Sequence, residues 1–426
     1  MIKYFLFILI QFIEDLLIGG FNALFFYLFP TAHPRCIGWW IIARWLQWLT
    51  FLWFSVGLIV LCSASYPSAL IEFGDGLYYV KRQLIWSIIG LIQFNILIRL
   101  PIKLILRFAG YGMIGSVILL ALTFFMGMSI NGAVRWISIG PILLQPSEIV
   151  KPFLVLQSAI IFGMWNAAKP PKIKLFWIFI FVFVLISILL QPNLSTSSLC
   201  ALILWLVALT AGVRWFYLNL ITILGFLTAL ISLGLREYQR LRIISFLNPW
   251  ANPTTTGYQL VQSLLAVGSG GLTGSGLSSS YQKLYFLPIQ YTDFIFSVFA
   301  EEFGLLGSSF FIIFLLSYFT LGIIVILSNT SENRKVHRLL AFGSLVALIG
   351  QSILNIGVSI GILPTTGLPL PFFSYGGNSL LVNFFLSAIL VRVAIETEKR
   401  DRLNIKSILG YPYKITKWVG KRIQKN

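Results

Sequence analysis

Charged side chains are scarce in this chain. Only 10% of its 426 residues are Asp, Glu, Lys or Arg, whereas 58% are hydrophobic. A soluble domain carries about a quarter charged residues, so the composition argues against a soluble protein. Histidine and cysteine are rarer still, with two and three residues that stand singly in the sequence. Their scarcity argues against a disulfide framework, a zinc site and a Ser-His-Asp triad.

Long apolar runs take the place of the missing charges. Runs of about 20 apolar residues, the length that crosses a bilayer as a helix, recur about ten times. The eighth is too long for one straight span, so we expect its ends to lie at the interface or the helix to tilt. The predicted spans are 45–64, 84–98, 104–126, 148–164, 175–190, 197–211, 215–235, 293–327, 339–362 and 378–395. We predict an all-α polytopic membrane protein with about ten transmembrane helices and a large extracytoplasmic loop between helices 7 and 8.

The distribution of basic residues predicts the orientation. With the N-terminus inside, the inner segments collect most of the 31 Lys and Arg residues, as the positive-inside rule requires. The net charge of +18 then reflects topology and contact with anionic lipid, and it needs no nucleic acid. We predict both termini inside. The basic residues that fall outside are Lys81, Arg82, Arg135, Lys151, Arg236, Arg240, Arg242 and Lys283.

Three regions follow from this pattern. Residues 1–43 are an apolar N-terminal extension, 44–398 the transmembrane domain, and 399–426 a basic cytoplasmic tail. The extension carries Glu14 and Asp15 inside its apolar run and shows neither the basic start nor the cleavage site of a signal peptide. We interpret it as a helix at the membrane interface. If it spans instead, the N-terminus moves outside.

A few carboxylates fall at the outer face or within predicted spans, where an ionisable group is costly and is a functional candidate. Asp293 follows Pro288 and Thr292 and opens an apolar run, so a helix dipole stabilises its ionised form. It either caps that helix or, facing a substrate hydroxyl, acts as a general base. Glu301 and Glu302 lie deeper, and we interpret them as buried structural or lining groups.

Two cationic features accompany these carboxylates. Glu148 and Lys151 share one face of a helix, a spacing that predicts an ion pair. Arg135 lies in an outer loop with no acid beside it, and it either snorkels at the interface or binds a phosphate. The run GSGGLTGSG at 268–276 lacks the Lys-Ser/Thr of a nucleotide loop, so we predict a flexible or re-entrant stretch there.

Five segments, in order along the chain, together resemble the SEDS family, the FtsW, RodA and SpoVE group of bacterial division, shape and sporulation proteins. The resemblance covers roughly residues 45–400, and the last segment is most similar to the FtsW division branch. The segments are SASYPSALIEFGDGLYYVKRQLIW, GAVRWISIGPILLQPSEIVK, GYQLVQSLLAVGSGGLTGSGL, LPIQYTDFIFSVFAEEFGLLG and LPTTGLPLPFFSYGGNSLL.

This resemblance implies a peptidoglycan glycosyltransferase that polymerises lipid II during cell division. It implies a bacterial plasma membrane at the division site, or a plastid envelope as the alternative. Asp293 of the TDF motif is the expected catalytic residue. The matching substrate-binding positions are Arg135, Glu148, Lys151, Gln262, Ser374, Gly376 and Gly377.

The resemblance also implies partners and a cofactor candidate. The partners are lipid II, undecaprenyl pyrophosphate-linked glycan, a class B penicillin-binding transpeptidase and other division proteins. A divalent cation, magnesium or manganese, is a candidate cofactor beside the leaving pyrophosphate.

The chain departs from the family pattern at several positions. LPExHTDF is LPIQYTDF here, so Ile289 and Tyr291 replace an acid and a histidine. QPDxGT is QPNLST, with Asn193 and Ser195, and GLxGKG is GLTGSG, which loses a lysine at Ser275. An inactive division scaffold is therefore one alternative function.

A second alternative is a lipid II flippase or another transporter. Such a protein would use polar residues inside its spans, of which the chain has Gln93, Asn95, Gln351 and Asn355. A transporter is expected to place charges near mid-membrane and to show repeat symmetry. The unusual groups of this chain instead cluster in outer segments, which favours chemistry there.

Overall fold

The structure, a computed structural model, describes residues 41–130, 133–140, 142–165, 171–235, 237–284, 286–331 and 334–408. The predicted interfacial helix at the N-terminus and most of the basic tail lie outside the described residues. Within them the chain forms twelve α-helices and one small sheet. The predicted fold class, an all-α polytopic membrane protein, is confirmed.

Ten long helices build the bundle, and each predicted span overlaps one of them. Seven of the ten, α1, α3, α5, α7, α10, α11 and α12, are long and apolar enough to cross a membrane. The other three are shorter or carry more polar residues. The ten are α1 Ile41–Phe73, α2 Tyr78–Arg99, α3 Ile102–Met126, α4 Pro146–Gly163, α5 Pro171–Leu190, α6 Leu194–Thr210, α7 Trp215–Leu235, α10 Ile295–Leu327, α11 Lys335–Ser359 and α12 Gly377–Ile408.

The bundle has a clear centre and periphery. Among the described residues, 83% of the most apolar stretch of α12 and 67% of that of α11 are buried inside the protein. For α7 the buried share is 11%. α11 and α12 therefore form the centre of the bundle. α7 lies at the edge, and its apolar side chains are suited to lipid.

The outer loop between α3 and α4 folds into a small antiparallel sheet that was not predicted. Its strands are β1 Met128–Ile130, β2 Ala133–Ile139 and β3 Ile142–Leu144, in the order β1-β2-β3. Strands this short give little periodic signal in a sequence. The sheet matters because β2 carries Arg135.

The segment between α7 and α10 is the large extracytoplasmic loop that the sequence predicts. It contains two short helices, α8 Glu237–Leu247 and α9 Tyr258–Ser269, and a 3₁₀ turn at Pro249–Ala251. α8 carries Arg242, and α9 carries Gln262.

α10 is interrupted near its N-terminal end and is not one continuous helix. It has 33 residues, which as one helix would be about 50 Å long and exceed the bilayer core. At Gly304 the backbone is non-helical, with φ 64° and ψ −163°. The stretch 305–327 alone is about 34 Å long and sufficient to span. The break therefore accounts for the excess length, and interfacial ends or a tilt stay a prediction.

The glycine-rich run 268–276 pairs with the backbone at this break. The N–H groups of Ser275 and Gly276 donate to the carbonyls of Glu301 and Glu302, each at 3.0 Å. Across the break, the Leu305 N–H donates to the carbonyl of Gly271 at 2.9 Å. Backbone groups freed from a helix must find such partners where water is excluded. The run is thus held to the break by hydrogen bonds of its backbone, and whether it is re-entrant stays a prediction.

Candidate active site

Several loops meet at one end of the bundle, which the basic residues predict to be the outer side; we call it the outer end. They are the α1–α2 turn, the sheet, the α5–α6 turn, the segment before α10 and the α11–α12 loop. Hydrogen bonds between these loops, described below, join parts of the chain that are far apart in sequence. Asp293 lies where they converge.

The backbone of Asp293 is held from the core of the bundle. Asn355 of α11 uses its side-chain Nδ2 to donate to the carbonyl of Asp293 at 2.7 Å and to the carbonyl of Leu368 at 2.7 Å. Asn355 is 1% exposed, so its amide is shielded from water. The α11–α12 loop and the Asp293 segment thereby share one anchor.

The two carbonyls before Asp293 are held as well. Ser374 donates from its hydroxyl to the carbonyl of Thr292, and the N–H of Tyr375 donates to the carbonyl of Tyr291 at 2.9 Å. Three consecutive carbonyls therefore have donors from α11 and from the loop that precedes α12. Such a segment has little freedom to move, which is what placing a catalytic group requires.

The side chain of Asp293 lies just before α10, outside the spanning helix. Burial raises the pKa of its carboxyl above the usual value, while Arg242, a hydrogen bond from Thr292, and Arg135 act to lower it. The carboxylate oxygen Oδ2 is 3.3 Å from where a Cβ on Gly367 would be, and Gly367 has φ +74°. A glycine there lets the loop pass close to the carboxylate. The result is a carboxylate of increased basicity beside two cations, a suitable general base.

Arg135 is oriented by the turn between α5 and α6. Its Nε donates to the carbonyl of Gln191 at 3.0 Å, and its Nη2 donates to the carbonyl of Pro192. Gln191 in turn donates from its side chain to the hydroxyl of Thr123 on α3. These contacts fix the guanidinium between the sheet and the bundle, close enough to act on the charge of Asp293.

Arg242 is a site residue to which sequence reasoning assigned no role. It lies on α8, and its Nη1 donates to the carbonyl of Thr365 at 3.1 Å. Its positive charge lowers the pKa of Asp293 more than that of Arg135 does. The sequence feature that could have identified Arg242 is its position, because few basic residues of this chain are predicted on the outer side of the membrane.

The predicted Glu148–Lys151 ion pair is present, and it lies inside the protein. Lys151 Nζ is 2.6 Å from Glu148 Oε1, and the two side chains are 1% and 3% exposed. Lys151 also donates to Gln351 Oε1 at 2.9 Å, and Gln351 Nε2 donates to the carbonyl of Pro369 at 2.7 Å. Through Gln351, the pair is thus linked to the α11–α12 loop beside Asp293. Direct contact of the pair with substrate stays a prediction.

The Ser374-Tyr375-Gly376-Gly377 motif joins the Asp293 segment to α2. The Ser374 hydroxyl also accepts from the N–H of Leu370 at 2.7 Å, and Gln83 accepts from the N–H of Gly376 at 3.3 Å. A Cβ on Gly377 would lie 2.5 Å from the ring of Trp86, so only glycine allows this approach. These contacts show how the motif packs, and its role in substrate binding stays a prediction.

Gln262 lies on α9, which packs against the first turns of α10. The neighbouring Ser263 has its hydroxyl 2.6 Å from that of Ser297 and donates to the carbonyl of Ser359 at 2.7 Å. Gln262 itself is half-buried on the helix that these bonds fix. Its contact with substrate stays a prediction.

Glu301 and Glu302 are buried, each 1% exposed, and they bind protein groups. Glu301 accepts from the N–H of Tyr281 at 2.9 Å, and Glu302 accepts from Lys283 Nζ at 2.7 Å and from Ser63 Oγ at 2.5 Å. Both carboxylates therefore anchor the loop that leads to Asp293. The prediction that they are buried structural groups agrees with these contacts.

Two departures from the family motifs find a local explanation. Asn193 Oδ1 accepts from the N–H of Thr196 at 3.3 Å and caps α6, which an aspartate also does well. Ser195 Oγ donates to the carbonyl of Thr366 at 2.6 Å. The serine that replaces a glycine thus adds a link to the loop beside Asp293.

The described residues contain no group of three or more His, Cys, Asp or Glu that could hold a metal ion. Magnesium is commonly bound by one or two carboxylates together with substrate phosphates. Asp293 is a single carboxylate near two arginines, so the described residues do not by themselves form such a site, and a cation would depend on the substrate phosphates.

Comparisons with known proteins agree with this architecture. The family model of FtsW, RodA and SpoVE, described as cell cycle protein, matches residues 44–399. The putative peptidoglycan glycosyltransferase FtsW of Mesostigma viride is 68% identical over 410 residues, 96% of this chain and 98% of the relative. The probable peptidoglycan glycosyltransferase FtsW of Synechocystis sp. is 49% identical over 375 residues, 88% and 94% of the two chains.

Solved structures extend the comparison to the fold. The rod shape determining protein RodA of Thermus thermophilus is similar with a TM-score of 0.61 and 25% identity, over 85% of this chain and 98% of that one. A chain from a structure on the coordination of polymerization and crosslinking by a peptidoglycan synthase complex gives a TM-score of 0.67 at 25% identity, over 85% and 99%. The family match, the identity along nearly the whole chain and the shared helix bundle show that this chain belongs to the FtsW, RodA and SpoVE family.

Proposed function

We propose that the chain is a peptidoglycan glycosyltransferase that polymerises lipid II into glycan strands during cell division. The observation that carries this proposal is the placement of Asp293. The backbone that carries its carboxylate is held by three anchors at the outer end, burial raises the pKa of the carboxyl, and Arg242 and Arg135 lie close by. Relatives named peptidoglycan glycosyltransferase FtsW support the same reaction.

In the proposed reaction, Asp293 acts on the acceptor sugar. Its carboxylate takes the proton from the 4-hydroxyl of the acceptor GlcNAc as that oxygen attacks C1 of the donor MurNAc. The bond from C1 to the undecaprenyl pyrophosphate oxygen breaks, and the lipid pyrophosphate leaves. An α-linked donor gives a β-1,4 product, so one inverting displacement with a single base is sufficient.

The leaving pyrophosphate requires positive charge. Arg135, on the sheet, and Arg242, on α8, are the two cations near Asp293 that would supply it. Both guanidiniums are already oriented by backbone carbonyls, so little rearrangement accompanies binding. A magnesium or manganese ion bound through the oxygens of the pyrophosphate would add to this charge.

The membrane setting fits a lipid-linked substrate. The helices at the edge of the bundle, such as α7, leave apolar surface on which a polyprenyl tail can lie while the pyrophosphate reaches the outer end. The protein is an integral membrane protein, and its relatives come from bacteria and from plastid-bearing algae, the two settings that the sequence left open.

A class B penicillin-binding transpeptidase is the proposed partner, because glycan strands without crosslinks do not form a wall. Support comes from the structural neighbour, which belongs to a peptidoglycan synthase complex of polymerization and crosslinking. Other division proteins are proposed as further partners on the resemblance to FtsW.

The flippase alternative has less support. Gln351 and Asn355, two of the polar groups that a transport path would use, instead donate to the carbonyls of Pro369, Asp293 and Leu368. They hold the loops of the candidate active site in place. The scaffold alternative does not explain why a carboxylate and two arginines converge.

Purified protein and lipid II test the proposal. Wild type is expected to form glycan polymer, and Asp293→Asn to lose at least about 100-fold in rate, the usual contribution of a general base. Glu237→Gln, which changes a carboxylate that is 77% exposed on α8, is the matched control and should act like wild type. Polymer from Asp293→Asn at the wild-type rate contradicts its role as base. Movement of lipid II across vesicles without any polymer contradicts the proposed function and supports the flippase.

A further inference from the structure

Three tyrosines from separate parts of the chain form a cluster beside Asp293. Tyr79 lies in the first turn of α2, Tyr291 two residues before Asp293, and Tyr375 two residues before α12. The rings of Tyr79 and Tyr291 stack, with centroids 4.4 Å apart and planes at 30°. Tyr375 packs edge-on against Tyr79, with centroids 4.8 Å apart and planes at 68°. We call these residues the tyrosine cluster.

The hydroxyls of Tyr79 and Tyr291 form a directed chain of hydrogen bonds that ends at Glu72. The Tyr79 hydroxyl donates to the carboxylate of Glu72, near the end of α1. The Tyr79 and Tyr291 oxygens are 2.9 Å apart. A phenol has one proton, and that of Tyr79 is used on Glu72, so Tyr291 is the donor to Tyr79. The order is Tyr291 to Tyr79 to Glu72.

Tyr79 is the fixed member of this chain, because only 7% of its surface is exposed. Burial also raises the pKa of Tyr291, so its hydroxyl keeps the proton that it donates. The backbone carbonyl of Tyr291 meanwhile accepts from the N–H of Tyr375. Tyr291 is thus held through both its side chain and its backbone, two residues before the proposed catalytic carboxylate.

We propose that Tyr79 is a positioning residue for Asp293, acting through the hydroxyl and ring of Tyr291. This inference rests on the proposed function. It means that the residues flanking the α1–α2 turn, Glu72 and Tyr79, help to set the position of Asp293. In this chain Tyr291 stands where the LPExHTDF pattern has a histidine. A tyrosine or a histidine can each donate to the oxygen of Tyr79, whereas a phenylalanine cannot.

Single and double phenylalanine variants test the coupling. Tyr79→Phe and Tyr291→Phe each keep the stacked rings and remove one hydroxyl. Each is expected to lower kcat for lipid II polymerisation about tenfold with KM unchanged, since substrate binding does not use these hydroxyls. The double variant should be no worse than either single variant, because all three lose the same bond. Tyr78→Phe is the control: Tyr78 stacks on Phe73 at 3.8 Å through its ring, and its kcat should stay at the wild-type value.

Rescue by histidine separates positioning from a merely structural role. Tyr291→His should retain most of the wild-type kcat, and this rescue should vanish when Tyr79→Phe is also present. Melting temperatures of all variants in detergent provide the folding control.

Three results overturn the inference. They are a wild-type kcat for Tyr79→Phe, losses that multiply in the double variant, and a loss of rate that follows only the loss of folded protein. An inactive wild-type chain contradicts the proposed function and the inference together. An active wild type with an equally active Tyr79→Phe contradicts the inference alone.

Discussion

Asn355 holds Asp293 and Leu368 with one side-chain nitrogen, at 2.7 Å from each carbonyl. The anchor belongs to α11, while the two carbonyls belong to the segment before α10 and to the loop after α11. The position of the proposed base therefore depends on a residue that does not contact the chemistry itself.

Asn355→Ala should reduce both stability and catalysis. Two buried carbonyls lose their donor, which costs on the order of 1–3 kcal/mol each in the free energy of unfolding, and Asp293 loses its backbone anchor. We expect a lower melting temperature and, per folded molecule, a polymerisation rate at least about tenfold lower.

Asn329→Ala is the matched control for this variant. Asn329 is also 1% exposed and uses Nδ2 for two bonds of 2.8 Å, to Val325 and Thr397, at the opposite end of the bundle. It should lose a similar amount of stability and keep its rate per folded molecule. Equal loss of rate in both variants would contradict the positional role of Asn355.

Arg242 should control the pH dependence of the reaction. A base must be unprotonated, so the rate rises as the pH passes upward through the pKa of Asp293, which burial raises above its usual value. The positive charge of Arg242 acts to lower this pKa. Arg242→Ala should therefore raise the pKa further and move the acidic limb of the kcat/KM profile to higher pH, and Arg242→Lys should move it less.

The control for this profile is Arg240→Ala, on the same helix. Arg240 is 59% exposed and lies 4.0 Å from Glu237. Its removal should leave the acidic limb in place. An acidic limb that stays put in Arg242→Ala, or moves toward lower pH, contradicts the assignment of Asp293 as the titrating base.

Lys151→Met should destabilise the protein strongly. It leaves the Glu148 carboxylate buried without its cation, for which about 3–5 kcal/mol in the free energy of unfolding is typical. Adding Glu148→Gln should restore part of the loss because the uncompensated charge is gone. Chemical unfolding in detergent measures these changes.

Lys81→Met removes a cation of the same type from an exposed pair. Lys81 and Asp75 are 2.6 Å apart with side chains 64% and 40% exposed, and water screens such a pair. The variant should unfold like wild type. If Lys151→Met is as stable as Lys81→Met, the buried pair does not have the structural role described above.

Gly304→Ala tests the break in α10. An alanine there would place its Cβ 2.4 Å from the nitrogen of Gly274 in a conformation, φ 64° and ψ −163°, that only glycine readily adopts. The backbone strain alone costs on the order of 1–3 kcal/mol in unfolding free energy. We expect a lower melting temperature and loss of the pairing with 268–276.

Gly225→Ala is the corresponding control. Nothing lies within 4 Å of a Cβ at Gly225 in α7, and alanine favours a helix over glycine by about 0.5–1 kcal/mol. This variant should be as stable as wild type or slightly more so. A Gly304→Ala protein that unfolds like Gly225→Ala would contradict the break.

The long helices were predictable because each is a local apolar signal of the right length. The break at Gly304 was not, since it depends on a partner segment whose Gly274 and Ser275 come much earlier in the chain. The sheet that carries Arg135 was missed for a related reason. Its strands have three to seven residues and are stabilised by pairing with one another.

The residues of the candidate site likewise fall into those that the sequence predicts and those that only the folded structure shows. Asp293 and Arg135 are detectable because an isolated charge is an anomaly in so apolar a sequence. Arg242 received no role, since its importance arises from its bond to Thr365 in a distant loop. Asn355 was considered as part of a transport path, and only the folded protein shows that its amide holds the backbone of Asp293.

The order of the anchors along the chain has a consequence for biosynthesis. Asn355, Ser374 and Tyr375, which hold the Asp293 segment, all follow it in the sequence. Ribosomes release the chain from its N-terminus, so Asp293 emerges before the three residues that hold the backbone around it. A nascent or prematurely terminated protein that lacks its last two helices would present the carboxylate without a catalytic geometry. Enzymatic competence is therefore acquired only when membrane insertion is complete.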